Sequence, residues 1–578
     1  MSCAFAPILP EAALRSYTQT AINRLGAFTV ETRKHEERAG ERPAAASDAG
    51  RGIAAAMARS RAGASVVASG ILLSRIAGLV RESIFAHYLG NSAAADAFKA
   101  GFRIPNILQN LFGEGVLSAS FIPVYSRMLA QGDDETADML AWGVASMLSL
   151  GVALMVVLGV AAAPYLIMII APGFHGAKRE LTISLVRVLF PGAGMLVMSA
   201  WCLGVLNSHH RFFASYAAPV AWNVAIIATL LLYGPHSSQS RLAIDIAWGS
   251  VAGSALQVLV QLPQTLKLLR KLRPELGRIA DPLRAVFKNL GPVIAGRGVG
   301  QISGYVDNLL ASLLPTGAVA ALNYGQILYM LPLALFGWSV AAAELPSMSR
   351  AAASEDGLAP ILRTRLNSGL RQIAFLVVPS AAAFLFVGDV IVALIFQSGD
   401  FSHADAIYVW SVLAGSGVGM LAVTMGRLYN SAFYALWDTK TPLKFAMVRV
   451  TLALVLGYLF AFPLTRALGI APRWGVAGLT ASAGIAGWVE FSLLRWNLNQ
   501  RIGWTGLDRG FLARLWGMAL VASVAGFAIK LYTPWAGPRV EGLMVIPAFG
   551  AVYLGIAYLA GMPELTRLIS MLRRRFGI

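Results

Sequence analysis

Charged residues interrupt the apolar stretch 71–125, among them Arg75, Arg81, Glu82, Asp96, Arg103 and Glu114. Each such charge costs roughly 2.5–3.5 kcal/mol at the centre of a lipid-embedded helix, so a chain that keeps several should turn them inward, onto something polar. Arg75, Arg81 and Glu82 are spaced by six to seven residues. That is about two helical turns, which puts them on one broad face. A basic inward face suits an anionic ligand, and the guanidinium fork matches phosphate. The plainer alternative is that Arg81 and Glu82 pair across the hairpin, with Asp96 or Glu114. Asp96 follows the polar turn Gly90-Asn91-Ser92, where it could cap the second helix or gate a mouth. Glu114 stands between Gly113 and Gly115, a signal for a bend or close backbone approach. Arg103 precedes Ile104-Pro105 and is a candidate to line a cavity.

A second set lies further on: Arg297, Asp307, Glu344, Arg427, Asp438 and Arg449. Asp307, in the apolar run ISGYVDNLLASLL, is a candidate cation or proton site. Asp438, in YALWDTKTP, is either an ion ligand or the N-cap of the next helix. There is no phosphate-binding P-loop, G-x-S-x-G elbow or H-E-x-x-H helix, so ATP-driven pumping and hydrolysis find no support. Cys3 and Cys202 are the two cysteines, too few and too far apart for a disulfide framework or metal cluster.

The elements that must position these residues are membrane helices. Of 578 residues, 57% are hydrophobic and 13% charged, about half the charged share of a soluble protein, which is about 25%. Long apolar runs recur from residue 63 onward, which predicts an all-α polytopic membrane protein rather than a barrel. Fourteen spans are expected, from 64–88 and 94–127 to 511–532 and 542–561. The net charge of +18 raises nucleic acid as a partner. The basic residues gather in alternate loops instead, seven of them in KLLRKLRPELGRIADPLRAVFK after the sixth span. That is the positive-inside pattern, and it places both termini in the cytoplasm. Residues 1–62, rich in Ala, Arg and Glu, read as a disordered cytoplasmic extension without signal-peptide order.

The chain also repeats itself. GMLVMSAWCLGVLNSHHRFFASYAAP (194–219) is echoed by GMLAVTMGRLYNSAFYALWDTKTP (419–442), with Asn-Ser starting twelve residues before a proline in each. FAHYLGNSAAADAF (85–98) is echoed by LASLLPTGAVAALNY (310–324), and MIIAPGF (168–174) by ALIFQSGDF (393–401), all offset by about 225 residues. The expected organisation is therefore 1–62 extension, 63–285 first lobe (spans 1–6), 286–500 second lobe (spans 7–12), and 501–578 two further spans and a basic tail. Duplication of this kind is a transporter feature, with substrate bound between the repeats.

Several motifs, in order and spacing, resemble one family: SRIAGLVRE (74–82), ADAF (95–98), IPN (104–106), FIPVY (121–125), APGF (171–174), LPSMS (345–349) and YALWDTKTP (434–442). The sequence resembles the MurJ/MviN lipid II flippases, of the multidrug/oligosaccharidyl-lipid/polysaccharide exporter superfamily. The resemblance implies two six-helix lobes around a central cavity, with two C-terminal helices shaping a groove for an isoprenoid tail. It implies that Ser74, Arg75, Arg81, Asp96 and Glu114 fall on functional positions, with Arg103 a further candidate for substrate contact. Glu82 replaces the more usual Asp. Asp307 and Asp438 look like the acidic residues of a sodium site found in some members, near Val450 or Thr451. The chain departs from the family where Gln109-Asn110 stand in place of an arginine and Gln326-Ile327 in place of an Asp-Arg pair; Arg103, Arg297 and Arg427 are the candidates to compensate. The expected activity is transport, not covalent catalysis: outward flipping of an undecaprenyl-pyrophosphate-linked disaccharide-peptide in a bacterial inner membrane. No organic cofactor is implied, and the energy source is membrane potential, protons or Na+. A monomer in contact with membrane lipids, and with other cell-wall synthesis proteins, is expected. The rivals are an exporter of other lipid-linked oligosaccharides or drugs, and a non-transporting scaffold.

Overall fold

The computed structural model describes residues 69–269, 284, 286, 304–352, 358–533, 535 and 537–576. The expected extension over 1–62 and the candidate Arg297 lie outside them. Residues 70–578 form one compact unit. Its elements are α1 (residues 69–89), α2 (Ala93–Phe112), α3 (Glu114–Ser120), α4 (Ile122–Ala130), α5 (Asp134–Ile170), α6 (Gly176–Ser208), α7 (Phe212–Tyr233) and α8 (Gln239–Leu268). They continue as α9 (residues 304–312), α10 (Ala318–Pro332), a π-helical turn (Leu333–Trp338), α11 (Ser339–Ala352), α12 (Leu358–Phe386), α13 (Gly388–Phe396) and α14 (His403–Ala435). The chain ends with α15 (Lys440–Ala461), α16 (Pro463–Ala467), α17 (Gly475–Ile502), α18 (Arg509–Tyr532), α19 (Pro538–Leu559) and α20 (Pro563–Phe576).

Twelve helical segments among the described residues are long and apolar enough to cross a membrane. The other two expected spans fall on α1, which carries three charges, and on α9, whose expected start lies outside the described residues. Leu150, Leu154, Val157 and Leu158 stand exposed along α5, and Val521 and Val524 along α18. Apolar surface so extensive is stable only in hydrocarbon.

The helices pair the same way twice. In the first half α2 packs on α6, α5 on α6, α6 on α8 and α7 on α8. In the second half α10 packs on α14, α12 on α14, α14 on α17 and α15 on α17. The echoes about 225 residues apart in sequence thus correspond to equivalent helix pairings. α18 and α19 pack on each other and on α12 and α13 of the second half. Small residues set these distances: a Cβ on Gly419 of α14 would stand 2.2 Å from Gly484 Cα of α17. Close backbone approach is how membrane helices gain van der Waals contact in the absence of a hydrophobic drive.

Two local irregularities shape the interior. Gly113 breaks the second span between α2 and α3, leaving Glu114 at the start of α3. That is the bend its flanking glycines predict; the Glu114 side chain lies outside the described residues. Pro332 lacks the N–H that would bond one turn back, and the chain widens into the π-helical turn immediately after it. Prolines and π-turns are the usual causes of such a bend.

Candidate functional site

α1 of the first half and α10 of the second face each other across a cavity of about 470 Å³. Its wall includes Arg75, Gly78, Arg81 and Glu82 from α1 and Asn323, Gln326 and Met330 from α10. Arg75 is exposed, and Ser74 is half-buried beside it. The two-turn spacing read from the sequence therefore does put both arginines on one cavity wall.

Arg81 is held on three sides. Its Nη1 donates to Asn223 Oδ1 of α7 at 3.0 Å, its Nη2 pairs with Glu82 Oε1 at 2.6 Å, and its guanidinium carbon lies 4.8 Å from the centre of the Trp222 ring. The remaining guanidinium N–H groups are the forked donors that phosphate takes. The partners differ from the cross-hairpin alternative: Arg81 pairs with its neighbour Glu82 and not with Asp96, and it is Glu82 that pairs across the hairpin, with Lys99.

Glu82 is 6% exposed and holds a second cation. Its Oε2 accepts a charge-assisted bond from Lys99 of α2. Lys99 is 8% exposed, with Nζ 4.1 Å from the Phe85 ring centre and 5.3 Å from that of Tyr324 in the second half. Sequence reasoning missed Lys99, and missed Asn223 and Trp222. The signal for Lys99 was present: a lysine three residues after Asp96 in an apolar helix is as costly as the charges that were singled out.

Asp96 is 1% exposed and reaches across the halves. It accepts from Gly317 N (2.7 Å) and Ala320 N (2.8 Å) at the start of α10, and pairs with Lys178 at 2.5 Å. It therefore caps a helix, but that of the other half; its own helix is capped by Ser92. A carboxylate at a helix N-terminus satisfies orphan N–H groups and complements the dipole. Gly317 at the cap has φ +95°, the left-handed region where a side chain is strained. More bonds close the same end: Tyr324 donates to Gly90 O (3.0 Å), Asn91 to Asp405 (3.2 Å), Ser83 to Ile395 O (2.5 Å) and Asp400 N to His87 O (2.7 Å). The molecule is sealed at the Gly90 turn, and the cavity lies toward the Arg75 end.

Arg103 does not join that wall. Its guanidinium lies 5.6 Å from the Tyr305 ring centre in α9 and within electrostatic reach of Asp307. Arg427, a candidate to compensate for the altered positions, stacks over Trp338 at 4.5 Å. Arg449 pairs with Glu490 of α17 at 2.9 Å. Gln326 and Ile327, at one of the departures from the family, line the cavity directly.

Asp307 and Asp438 keep separate company. Asp307 faces Arg103 and Arg449. Asp438 Oδ1 accepts from Lys440 N (3.1 Å) and Thr441 N (3.0 Å), while Oδ2 takes the Thr441 hydroxyl (2.7 Å) and Arg501 (2.8 Å). This is the capping reading of Asp438. Burial raises its carboxyl pKa, but the Thr441 bonds and the Arg501 pair outweigh that and hold it below the usual carboxylate value. Asp438 is thus paired with a guanidinium, and Asp307 lies within electrostatic reach of two; among the described residues no three His, Cys, Asp or Glu side chains gather to hold a metal ion.

Known proteins resemble this chain in sequence and in fold. The family model "Lipid II flippase MurJ" matches residues 85–538. The lipid II flippase MurJ of Burkholderia cenocepacia is 31% identical over 521 residues, covering 85% of this chain and 95% of that protein. The probable lipid II flippase MurJ of Rhizobium meliloti is 30% identical, covering 88% and 94%. Among solved structures, the inward closed conformation of lipid II flippase MurJ aligns with a TM-score of 0.68 at 23% identity, covering 85% of this chain and 98% of that one. An inward-facing multidrug-resistance MATE transporter of the MOP superfamily aligns at 0.60 and 18%, covering 75% and 98%. A match over most of the chain, together with the arginine-lined cavity between paired helical halves, shows that this multi-pass membrane protein belongs to the lipid II flippase MurJ family.

Proposed function

We propose that this protein flips lipid II, the undecaprenyl-pyrophosphate-linked disaccharide-peptide, from the inner to the outer leaflet of a bacterial inner membrane. The observation that carries this reading is the cavity wall: Arg75 and Arg81 point into one space between the halves, where a diphosphate would meet forked donors out of bulk water. Basic residues in alternate loops support cytoplasmic termini. With that orientation the Asp96 cap and the Gly90 bonds lie on the outer side, and the cavity opens inward. Binding of the headgroup would be followed by release of the outer contacts and rocking of the halves, while the isoprenoid tail stays in lipid. The cavity is built by a single chain, which supports a monomer.

The test is rescue of a bacterium depleted of its own lipid II flippase, scored by lipid II exposed at the outer face. Rescue by the wild type and loss with Arg75→Ala and Arg81→Ala is the expected result. A well-inserted wild type that exposes no lipid II would overturn the reading, and would favour another lipid-linked headgroup, for which Gln326 and Ile327 in the wall would be the selective positions.

A further inference from the structure

Among the described residues the cavity wall contains one carboxylate, Glu82, directly beside the arginine that faces the ligand space. Left alone with it, a carboxylate takes a guanidinium in a two-pronged pair and cancels its charge. Lys99 prevents this. It occupies Glu82 Oε2, so Arg81 keeps only Oε1, and the three side chains together carry one net positive charge. Lys99 does not line the cavity itself; it lies behind the wall, between Phe85 and Tyr324. A lysine so buried is costly unless paired, and its pair is Glu82 in the wall.

We propose that Lys99 is a positioning residue for substrate binding: by holding Glu82 it leaves the Arg81 guanidinium free to bind the diphosphate of the lipid-linked substrate. The proposal rests on the flippase reading, and its test separates the two. Purified wild type, Lys99→Met, Glu82→Gln and the double variant are compared for lipid II binding in detergent, with thermal unfolding of each measured alongside. Lys99→Met is expected to weaken binding about tenfold or more, because Glu82 then claims Arg81. Removing the carboxylate as well should restore binding to within about threefold of wild type, because Arg81 again stands uncancelled. A purely structural lysine predicts instead that any loss of binding follows a loss of thermal stability, so that a Lys99→Met protein melting as the wild type does would bind as the wild type does. Should Lys99→Met not be recovered folded, Lys99→Leu likewise removes both the charge and the bond to Glu82 Oε2, and the same loss and restoration are expected. Wild-type affinity in Lys99→Met or Lys99→Leu, or no restoration in the double variant, overturns the role of Lys99. A folded wild type that does not bind lipid II overturns the flippase reading instead.

Discussion

Arg81 is oriented by its neighbours. Asn223 and Trp222 of α7 fix its plane, and a single oxygen of Glu82 balances it. Removing Asn223 should therefore loosen the guanidinium without removing its charge. Asn223→Ala is expected to lower lipid II affinity about threefold to tenfold, the loss of a hydrogen bond to a charged group, whereas Arg81→Ala should abolish flipping; equal effects in a binding titration would contradict the ordering. Asp438 belongs to the same scale but does different work, tying α15 to Arg501 of α17. Its folded carboxyl lies below the usual value. The stability it contributes is therefore fully present above the unfolded value near about 3.9 and lost as pH falls through the lower folded value. The unfolding temperature of Asp438→Asn should lie below that of wild type at pH 7 and converge with it as the medium is acidified below about pH 4. A gap unchanged at low pH would show that the charge does not matter.

At the scale of elements, the second half depends on the crossing of α14 and α17. Gly419 meets Gly484 with no room for a Cβ. Gly484→Leu must push the helices apart and is expected to cost about 1–3 kcal/mol or more, read as loss of folded protein in detergent; normal yield and melting would refute the close crossing. α10 has a different problem. It starts on a borrowed cap, Asp96, and ends at Pro332 in a π-helical turn. Neither end is thus held by an uninterrupted helical ladder of its own, the one being capped from the other half and the other running into a proline and a π-turn.

For the whole molecule, the bonds around the Gly90 turn are what hold the halves together at one end. Flipping by alternating access requires them to break in each cycle. With Cys3 and Cys202 replaced, Asn91→Cys and Asp405→Cys place two thiols across that seal, where the native side chains lie 3.2 Å apart. A short reducible cross-linker is expected to arrest flipping, and reduction to restore it. Undiminished flipping in fully cross-linked protein would rule out opening at this end.

Much of this was legible in the chain. Apolar runs and the sparse charge determine membrane helices because backbone polar groups in lipid must bond within their own segment. Internal echoes determine paired halves, and the two-turn spacing of Arg75 and Arg81 determines a shared face. Which partner each charge finds was not legible, because helix periodicity gives a direction around one axis and says nothing of what another helix brings there. Asp96 reads as a cap for its own helix, yet it caps α10, more than two hundred residues on. Lys99 reads as one more charge in a crowded hairpin, and only packing makes it the guard of Glu82. Asp307 and Asp438 read alike as intramembrane acids, and the tertiary structure gave them separate guanidinium neighbours. Local physics set the helices and their faces; the pairing of buried charges was decided by which helices the fold brings together.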